Sequence, residues 1–86
     1  MEITVEISYY ALLEDYNFPV SEFLNIISKN QNITVETGVM STVISGEFDE
    51  VMLLLVQTIK PFMEKYPSVF TLKIANACKC CKNENE

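Results

Sequence analysis

The chain has 86 residues, of which 49% are apolar, and it carries a formal net charge of −6 with no histidine. This length and this apolar content indicate one compact domain and exclude a disordered tail protein. Six basic residues against twelve acidic ones provide no positive stripe, so we expect neither nucleic-acid binding nor attachment to an anionic membrane surface. A negative surface attracts small cations, and it also serves simply to keep a protein in solution.

The N-terminal sequence MEITVEISYY lacks the basic and apolar regions of a signal peptide. The longest apolar run, residues 51–56, has six residues, far fewer than the roughly 20 that a membrane span requires. We therefore expect a cytoplasmic protein with no membrane insertion, in which thiols stay reduced.

The first predicted element is a strand, because apolar and polar side chains alternate with the period of two of a half-buried strand. The apolar face carries Ile3, Val5, Ile7 and Tyr9. The other face carries Glu2, Thr4, Glu6, Ser8 and Tyr10.

A helix is predicted next, after a turn over residues 14–17. Pro19 suits the first turn of a helix, because the N–H that proline lacks is not needed there. Apolar residues then recur at i, i+3, i+4 and i+7, which is the stripe of an amphipathic helix. They are Val20, Phe23, Leu24 and Ile27.

Two strands are predicted over residues 33–37 and 39–45, joined at Gly38, which allows a tight connection, and closed by Gly46. The second of them is apolar in both phases, as expected for a strand with both faces covered. This pattern favours a homo-oligomer in which a second copy covers the face of the sheet opposite the helices.

A second helix is predicted to begin near Phe48 or Asp49, with Asp49 as its cap and Pro61 as the site of a kink or break. A last strand follows over residues 69–77. The order β-α-β-β-α-β predicts an α+β, ferredoxin-like sandwich with a four-stranded antiparallel sheet, strands one and three at its centre, and two helices on one face. We place this single domain at residues 1–78 and a polar tail at residues 79–86.

No catalytic motif is present. Without histidine there is no Ser-His or Cys-His pair, and two isolated glycines cannot form a phosphate-binding loop. We therefore expect no enzymatic activity. Cys78, Cys80 and Cys81 lack the fourth ligand of a structural zinc site, so no metal site is predicted, although two chains together offer more thiolates. A metal-binding or redox tail remains the alternative interpretation of these cysteines.

The predicted sheet carries an unusual number of polar side chains, and we expect those on neighbouring strands to meet near one end. Buried polar groups need partners, and a heteroaromatic ligand provides them; the other interpretation is ordinary strand residues bonded to backbone or water. Glu6 and Glu36 are predicted to share the open face, with Glu6 paired to Lys73 on the adjacent strand. The hydroxyl and amide residues are Ser8, Tyr10, Thr37, Ser41, Thr42 and Asn76.

Three segments contain recognisable motifs: residues 8–12 (SYYAL), 36–51 (ETGVMSTVISGEFDEV) and 74–78 (IANAC). The first and the last resemble the ends of the first and last strands in the YkoF-like and thiamine-binding domain families. The middle one resembles the signature that those families share, Met/Ile-Ser/Gly-Thr-x-x-x-Gly-x-x-Asp-x-Val. Ala11 stands where proline is usual, and residues 79–81 (KCC) replace a Pro-Gly type tail.

This resemblance implies a non-catalytic protein that binds thiamine or its hydroxymethylpyrimidine precursor, in supply or salvage of the vitamin, with no other cofactor. It also implies a homo-oligomer, a dimer or a tetramer, joined through the sheets. In this family the polar side chains would bond the aminopyrimidine edge, Tyr10 or Met40 would contact the ring face, and Glu36 or Glu6 would balance the thiazolium charge. The implied ligand-binding residues are Ser8, Tyr10, Glu36, Thr37, Met40, Ser41, Thr42 and Asn76. The alternative is a structural or regulatory oligomerisation module of the same fold that has no small-molecule ligand.

Overall fold

The computed structural model describes residues 1–15, 17–38 and 41–76 of the chain. Four strands and two helices follow one another in the predicted order, and the fold is a ferredoxin-like α+β sandwich. Met40, the three cysteines and the tail at residues 79–86 lie outside the described residues. The elements are β1 (Glu2–Ala11), α1 (Asn17–Ile27), β2 (Thr34–Thr37), β3 (Thr42–Glu47), α2 (Phe48–Lys65) and β4 (Ser68–Ala75).

The four strands form one antiparallel sheet in the order β2-β3-β1-β4, with β1 and β3 at the centre as predicted. The register places Val5 opposite Ile44 of β3 and opposite Ile74 of β4. Residues that face each other across two strands lie on the same side of a sheet. This register therefore decides which side chains of the outer strands reach the helices and which do not.

The hydrophobic core lies between the helices and one face of the sheet, because the alternation of β1 directs its apolar side chains to that face. Both helices bury one stripe against it, and Phe23 and Val51 are almost completely inaccessible. The buried core residues are Ile3, Val5, Ile7, Phe23, Ile27, Ile33, Ile44, Val51, Leu55 and Phe62.

The opposite side of the sheet, here called the open face, is covered by neither helix. Glu6 and Glu36 both lie on it, as predicted, because the register places each of them opposite Val43. The Lys73 Nζ lies 3.7 Å from the Glu6 Oε1, which confirms the predicted ion pair. The strand residues of the open face are Glu2, Thr4, Glu6, Ser8, Tyr10, Thr34, Glu36, Val43, Ser45, Glu47, Val69, Thr71, Lys73 and Ala75.

The start of α2 differs from the prediction. The capping position is Glu47, whose backbone is extended at φ −66° and ψ 139° and whose side chain makes no capping hydrogen bond. Asp49 was therefore the wrong cap, since it lies inside the first turn with Glu50. There its carboxylate still favours the helix, because the first turn is the positive end of the helix dipole.

Pro61 does not break α2, which continues to Lys65. The proline removes one hydrogen bond, to the carbonyl of Gln57, but its ring is on the exposed side of the helix. The next residue, Phe62, is 5% exposed and anchors the last turn in the core. Burial of the Phe62 ring thus outweighs the loss of the hydrogen bond to the Gln57 carbonyl.

Gly46 does not end β3, which extends to Glu47. A Cβ atom at position 46 would lie 3.3 Å from the carbonyl oxygen of Asn32 and 3.3 Å from side-chain atoms of Ile33 and Val51. The glycine is therefore a close-approach position within the strand, and it lets α2 lie close against β3. Neither helix of the described residues is long and apolar enough to cross a membrane.

Candidate ligand cleft

A cleft of about 540 Å³ opens on the helix side of the sheet, at the end of β1 where the chain leaves for α1. Three parts of the fold meet there: the last residues of β1, the first half of α1 and the connection between β2 and β3. The short β1–α1 connection brings the start of the helix beside the end of the strand. The volume lies within the range of roughly 300–1,000 Å³ that is usual for small-molecule sites.

The walls of the cleft are largely apolar, because they are an extension of the core. Ile7 and Phe23 are 2% and 1% exposed, and both line the cleft while packing in the core. Tyr9 lies beside them, with its ring centroid 5.3 Å from that of Phe23 in an edge-to-face arrangement. Walls of this kind suit a flat, apolar ring rather than a charged group.

Neutral polar residues occupy the β2–β3 side of the cleft. Thr37 and Thr42 are cross-strand partners at the end of the hairpin, and the Gly38 amide donates to the Ser41 carbonyl oxygen at 2.8 Å. Thr42 is 6% exposed, and within the described residues its hydroxyl has no hydrogen-bond partner. Burying a hydroxyl without a hydrogen-bond partner destabilises the folded state. A polar atom of a ligand in the cleft could therefore form a hydrogen bond with the Thr42 hydroxyl.

Ser41 joins this side of the cleft to the open face. Its hydroxyl donates to the Glu6 Oε2 at 3.2 Å, and the other oxygen of that carboxylate faces Lys73. The Ser41 hydroxyl therefore already bonds to a residue of β1, although Ser41 lines the cleft. Among the described lining residues none is charged.

Four of the residues predicted to bind a ligand line the cleft. They are Tyr10, Thr37, Ser41 and Thr42. Tyr10 is 51% exposed, belongs to the open face by register and borders the cleft at the end of β1, whereas Thr42 is 6% exposed.

The other predicted residues lie elsewhere. Ser8 and Glu36 are on the open face, and Met40 is outside the described residues. The Asn76 amide lies 3.9 Å from the Met1 sulfur. That position is at the opposite end of β1 from the cleft, about 20 Å away at 3.3 Å per strand residue. The expected convergence of Asn76 with the hydroxyl residues therefore does not occur in the fold.

The sequence interpretation missed the contribution of α1. Asn17 lines the cleft and is the only amide side chain among its described lining residues, and Val20 and Leu24 complete the apolar wall on that side. The available signal was the short connection between β1 and α1, which forces the first turn of the helix to lie next to the polar end of the strand. In residues 1–15, 17–38 and 41–76 no three acidic or cysteine side chains are grouped so that they could hold a metal ion.

No protein-family model and no curated protein matches this sequence, but solved structures do. A Thermotoga maritima protein provisionally assigned to thiamine biosynthesis or salvage superposes with a TM-score of 0.78 at 22% identity, covering 92% of this chain and 87% of that one. A protein from Streptococcus pneumoniae superposes with a TM-score of 0.81 at 18% identity, covering 90% and 88%.

A domain of unknown function, DUF77, from Bacillus cereus superposes with a TM-score of 0.72 at 18% identity, covering 88% of this chain and 76% of that one. At such identities the likeness establishes a shared fold, and function has to be argued from the site. The chain is a ferredoxin-like α+β protein that is similar over nearly its whole length to these three structures.

Proposed function

We propose that this protein binds thiamine or its hydroxymethylpyrimidine precursor in the cleft, as a non-catalytic member of the YkoF-like, thiamine-binding group that supplies or salvages the vitamin. The observation that carries the proposal is the buried hydroxyl of Thr42, which has no partner among the described residues and lies beside apolar walls that include Ile7 and Phe23. The thiamine-related description of the structurally similar Thermotoga protein supports the same assignment.

The aminopyrimidine ring fits these walls because it is flat and uncharged. Its faces would contact Phe23 and Tyr9, and its nitrogen edge would hydrogen-bond to Thr42, Thr37 and the Asn17 amide. The thiazolium ring of thiamine is a cation, and the described lining residues offer it no carboxylate. The pyrimidine half therefore enters the cleft, and the thiazolium half stays at the mouth near Tyr10.

The homo-oligomer expected through the open face is part of this proposal. Val43 lies at the middle of that face between Glu6 and Glu36, and it is half-buried in a single chain. On the same face Ser45 lies two residues further along β3, opposite Thr4, and both side chains carry hydroxyls. A two-fold axis would bring the same groups of a second open face against them.

Calorimetry with three compounds tests the ligand: thiamine, hydroxymethylpyrimidine and the separate thiazole half. We expect heat and a raised melting temperature with the first two and neither effect with the third. The absence of both effects with all three at millimolar concentration would refute the assignment, because even a weak ligand stabilises the folded state once its concentration exceeds Kd.

The alternative of a purely structural oligomerisation module gives a different result. Under that alternative neither the parent nor a Thr42→Ala variant would bind the vitamin or its pyrimidine half, and both proteins would assemble alike. Calorimetry of both proteins with the two compounds, beside sedimentation, separates the two functions.

A further inference from the structure

Two acidic residues lie at the rim of the cleft, in the connection between β1 and α1. Glu14 is two residues beyond Leu12, Asp15 is two residues before Asn17, and both Leu12 and Asn17 line the cleft. Each acidic residue therefore has its Cα atom within about 7.6 Å of that of a lining residue. Both are exposed, and within the described residues neither carboxylate has an ion-pair or hydrogen-bond partner. Two negative charges thus border the mouth of the cleft.

In residues 1–15, 17–38 and 41–76 no lysine pairs with either of these carboxylates. The amino groups of Lys65 and Lys73 lie 3.9 Å and 3.7 Å from carboxylate oxygens of other residues. Lys29 follows the C-terminal end of α1, whereas the cleft is formed by the first half of that helix. Lys60 is on α2, which contributes none of the described lining residues. The rim therefore keeps its negative charge.

The start of α1 at the same rim would by itself favour an anion, because a helix carries about half a positive charge at its N-terminus. Two features of the sequence oppose this. Pro19 is the third residue of the helix and has no N–H to donate. Glu14 and Asp15 place two full negative charges just before the first turn. Two full charges outweigh one half charge of the opposite sign, so the rim repels anions.

The ligands of the proposed function differ in charge at the position that would lie at this rim. Hydroxymethylpyrimidine and thiamine share the pyrimidine ring, and the methylene carbon on that ring carries a hydroxyl in the first and the thiazolium cation in the second. In the phosphorylated precursor it carries a phosphate dianion. The Thr42 hydroxyl, buried in the cleft and without a partner in the described residues, would hold the ring edge inside. The variable group would then lie at the mouth, beside Glu14 and Asp15.

We propose that Glu14 and Asp15 select the ligand by its charge, so that the cleft accepts the free alcohol and the thiamine cation and rejects the phosphorylated pyrimidine. This inference rests on the proposed function and adds to it the residues that determine specificity. The repulsion acts through water and is screened by salt, so we expect the phosphate ester to bind about tenfold more weakly than the alcohol at low ionic strength. The difference should shrink as salt is added.

Calorimetry of the full chain with three compounds tests the selection: hydroxymethylpyrimidine, its phosphate ester and thiamine. The rim variant combines Glu14→Gln with Asp15→Asn. The control variant combines Asp49→Asn with Glu50→Gln, which removes the same two charges from the first turn of α2. That turn begins beside Met1, at the opposite end of β1 from the cleft.

The rim variant should change the three affinities in different directions. We expect it to bind the phosphate ester several-fold more tightly and thiamine several-fold more weakly than the parent does, with an unchanged affinity for the neutral alcohol. Structural damage would weaken all three instead. The control variant should keep the affinities of the parent, and thermal denaturation checks that both variants fold.

Equal binding of the alcohol and its phosphate ester by the parent at low salt overturns the selection. A rim variant whose three affinities match those of the parent also overturns it. In both cases the cleft still binds the pyrimidine, so the proposed function stands, whereas a parent that binds none of the three compounds removes both. If the rim variant does not fold, the preference of the parent for the alcohol and its dependence on salt decide.

Discussion

The Ser41 hydroxyl donates to the Glu6 carboxylate on the open face at 3.2 Å, while its neighbour Thr42 lies on the helix face and is 6% exposed. Two consecutive hydroxyl residues of the β2–β3 hairpin thus serve different sides of the sheet, as the period of two in a strand requires. Only the Thr42 hydroxyl is both buried in the cleft and without a partner in the described residues. The two residues should therefore contribute unequally to binding.

We expect Thr42→Val to weaken binding of hydroxymethylpyrimidine about tenfold, because one hydrogen bond is worth about 0.5–1.5 kcal/mol and 1.4 kcal/mol is a factor of ten. Ser41→Ala should change the affinity less, since that hydroxyl is already bonded to Glu6. Calorimetry measures both.

The matched control for this pair is Thr58→Val, which removes the hydroxyl of an equally buried threonine, 4% exposed, that does not line the cleft. Its affinity should equal that of the parent. A Thr42→Val protein that binds like the parent would show that the pyrimidine edge is not held at this position.

The fold was predictable from the sequence because its main determinants are local. The alternation of β1 fixed which of its faces carries Ile7 and which carries Glu6, and antiparallel pairing with β4 then set Lys73 opposite Glu6. The details that the structure corrects are the Asp49 cap and the break that was one of the two outcomes expected at Pro61; they are also local, but tertiary packing decided them. Burial of Phe62 keeps α2 intact beyond a residue that alone would favour its end.

The site was only partly predictable, because it depends on which ends of the elements meet. Thr37 and Thr42 are joined by a short hairpin, so their proximity follows from the chain itself. Asn76 is far from them because β4 runs antiparallel to β1 and ends beside Met1. Asn17 has no strand pattern to reveal it, and only the packing of α1 brings its amide to the cleft.

The close approach at Gly46 gives a second expected outcome. Gly46→Ala adds a Cβ atom 3.3 Å from a backbone carbonyl oxygen and from two packed side chains, so α2 and β3 have to separate slightly. We expect a loss of about 1–3 kcal/mol in the free energy of unfolding, measured by urea denaturation. Ser45→Ala, one residue earlier on the open face, should lose less, since its hydroxyl makes one long contact of 3.4 Å with Thr4. Equal losses would show that the glycine position is not tightly packed.

The third prediction concerns the open face. Val43→Lys places a cation between Glu6 and Glu36, so the single chain should keep its fold, whereas a contact between two open faces would bury that charge. We expect the mass measured by sedimentation to fall, with a melting temperature that no longer depends on protein concentration if no other contact remains. Lysine at Leu53, on the helix side of the molecule, is the control and should leave assembly unchanged. An undiminished mass for Val43→Lys would place the contact elsewhere.

The fourth prediction concerns Pro61. It lies inside an 18-residue helix and is exposed, so Pro61→Ala restores an N–H that donates to the Gln57 carbonyl and removes no buried contact. Proline in a helix interior is about 3 kcal/mol less favourable than alanine, and part of this gain is lost because alanine leaves the unfolded chain more flexible. We expect a net stabilisation of about 1–2 kcal/mol, seen as a higher midpoint in urea at unchanged slope. Lys60→Ala, at the preceding exposed position, should shift stability by less than about 0.5 kcal/mol. A lower midpoint for Pro61→Ala would mean that the proline ring packs against something that holds α2 in place.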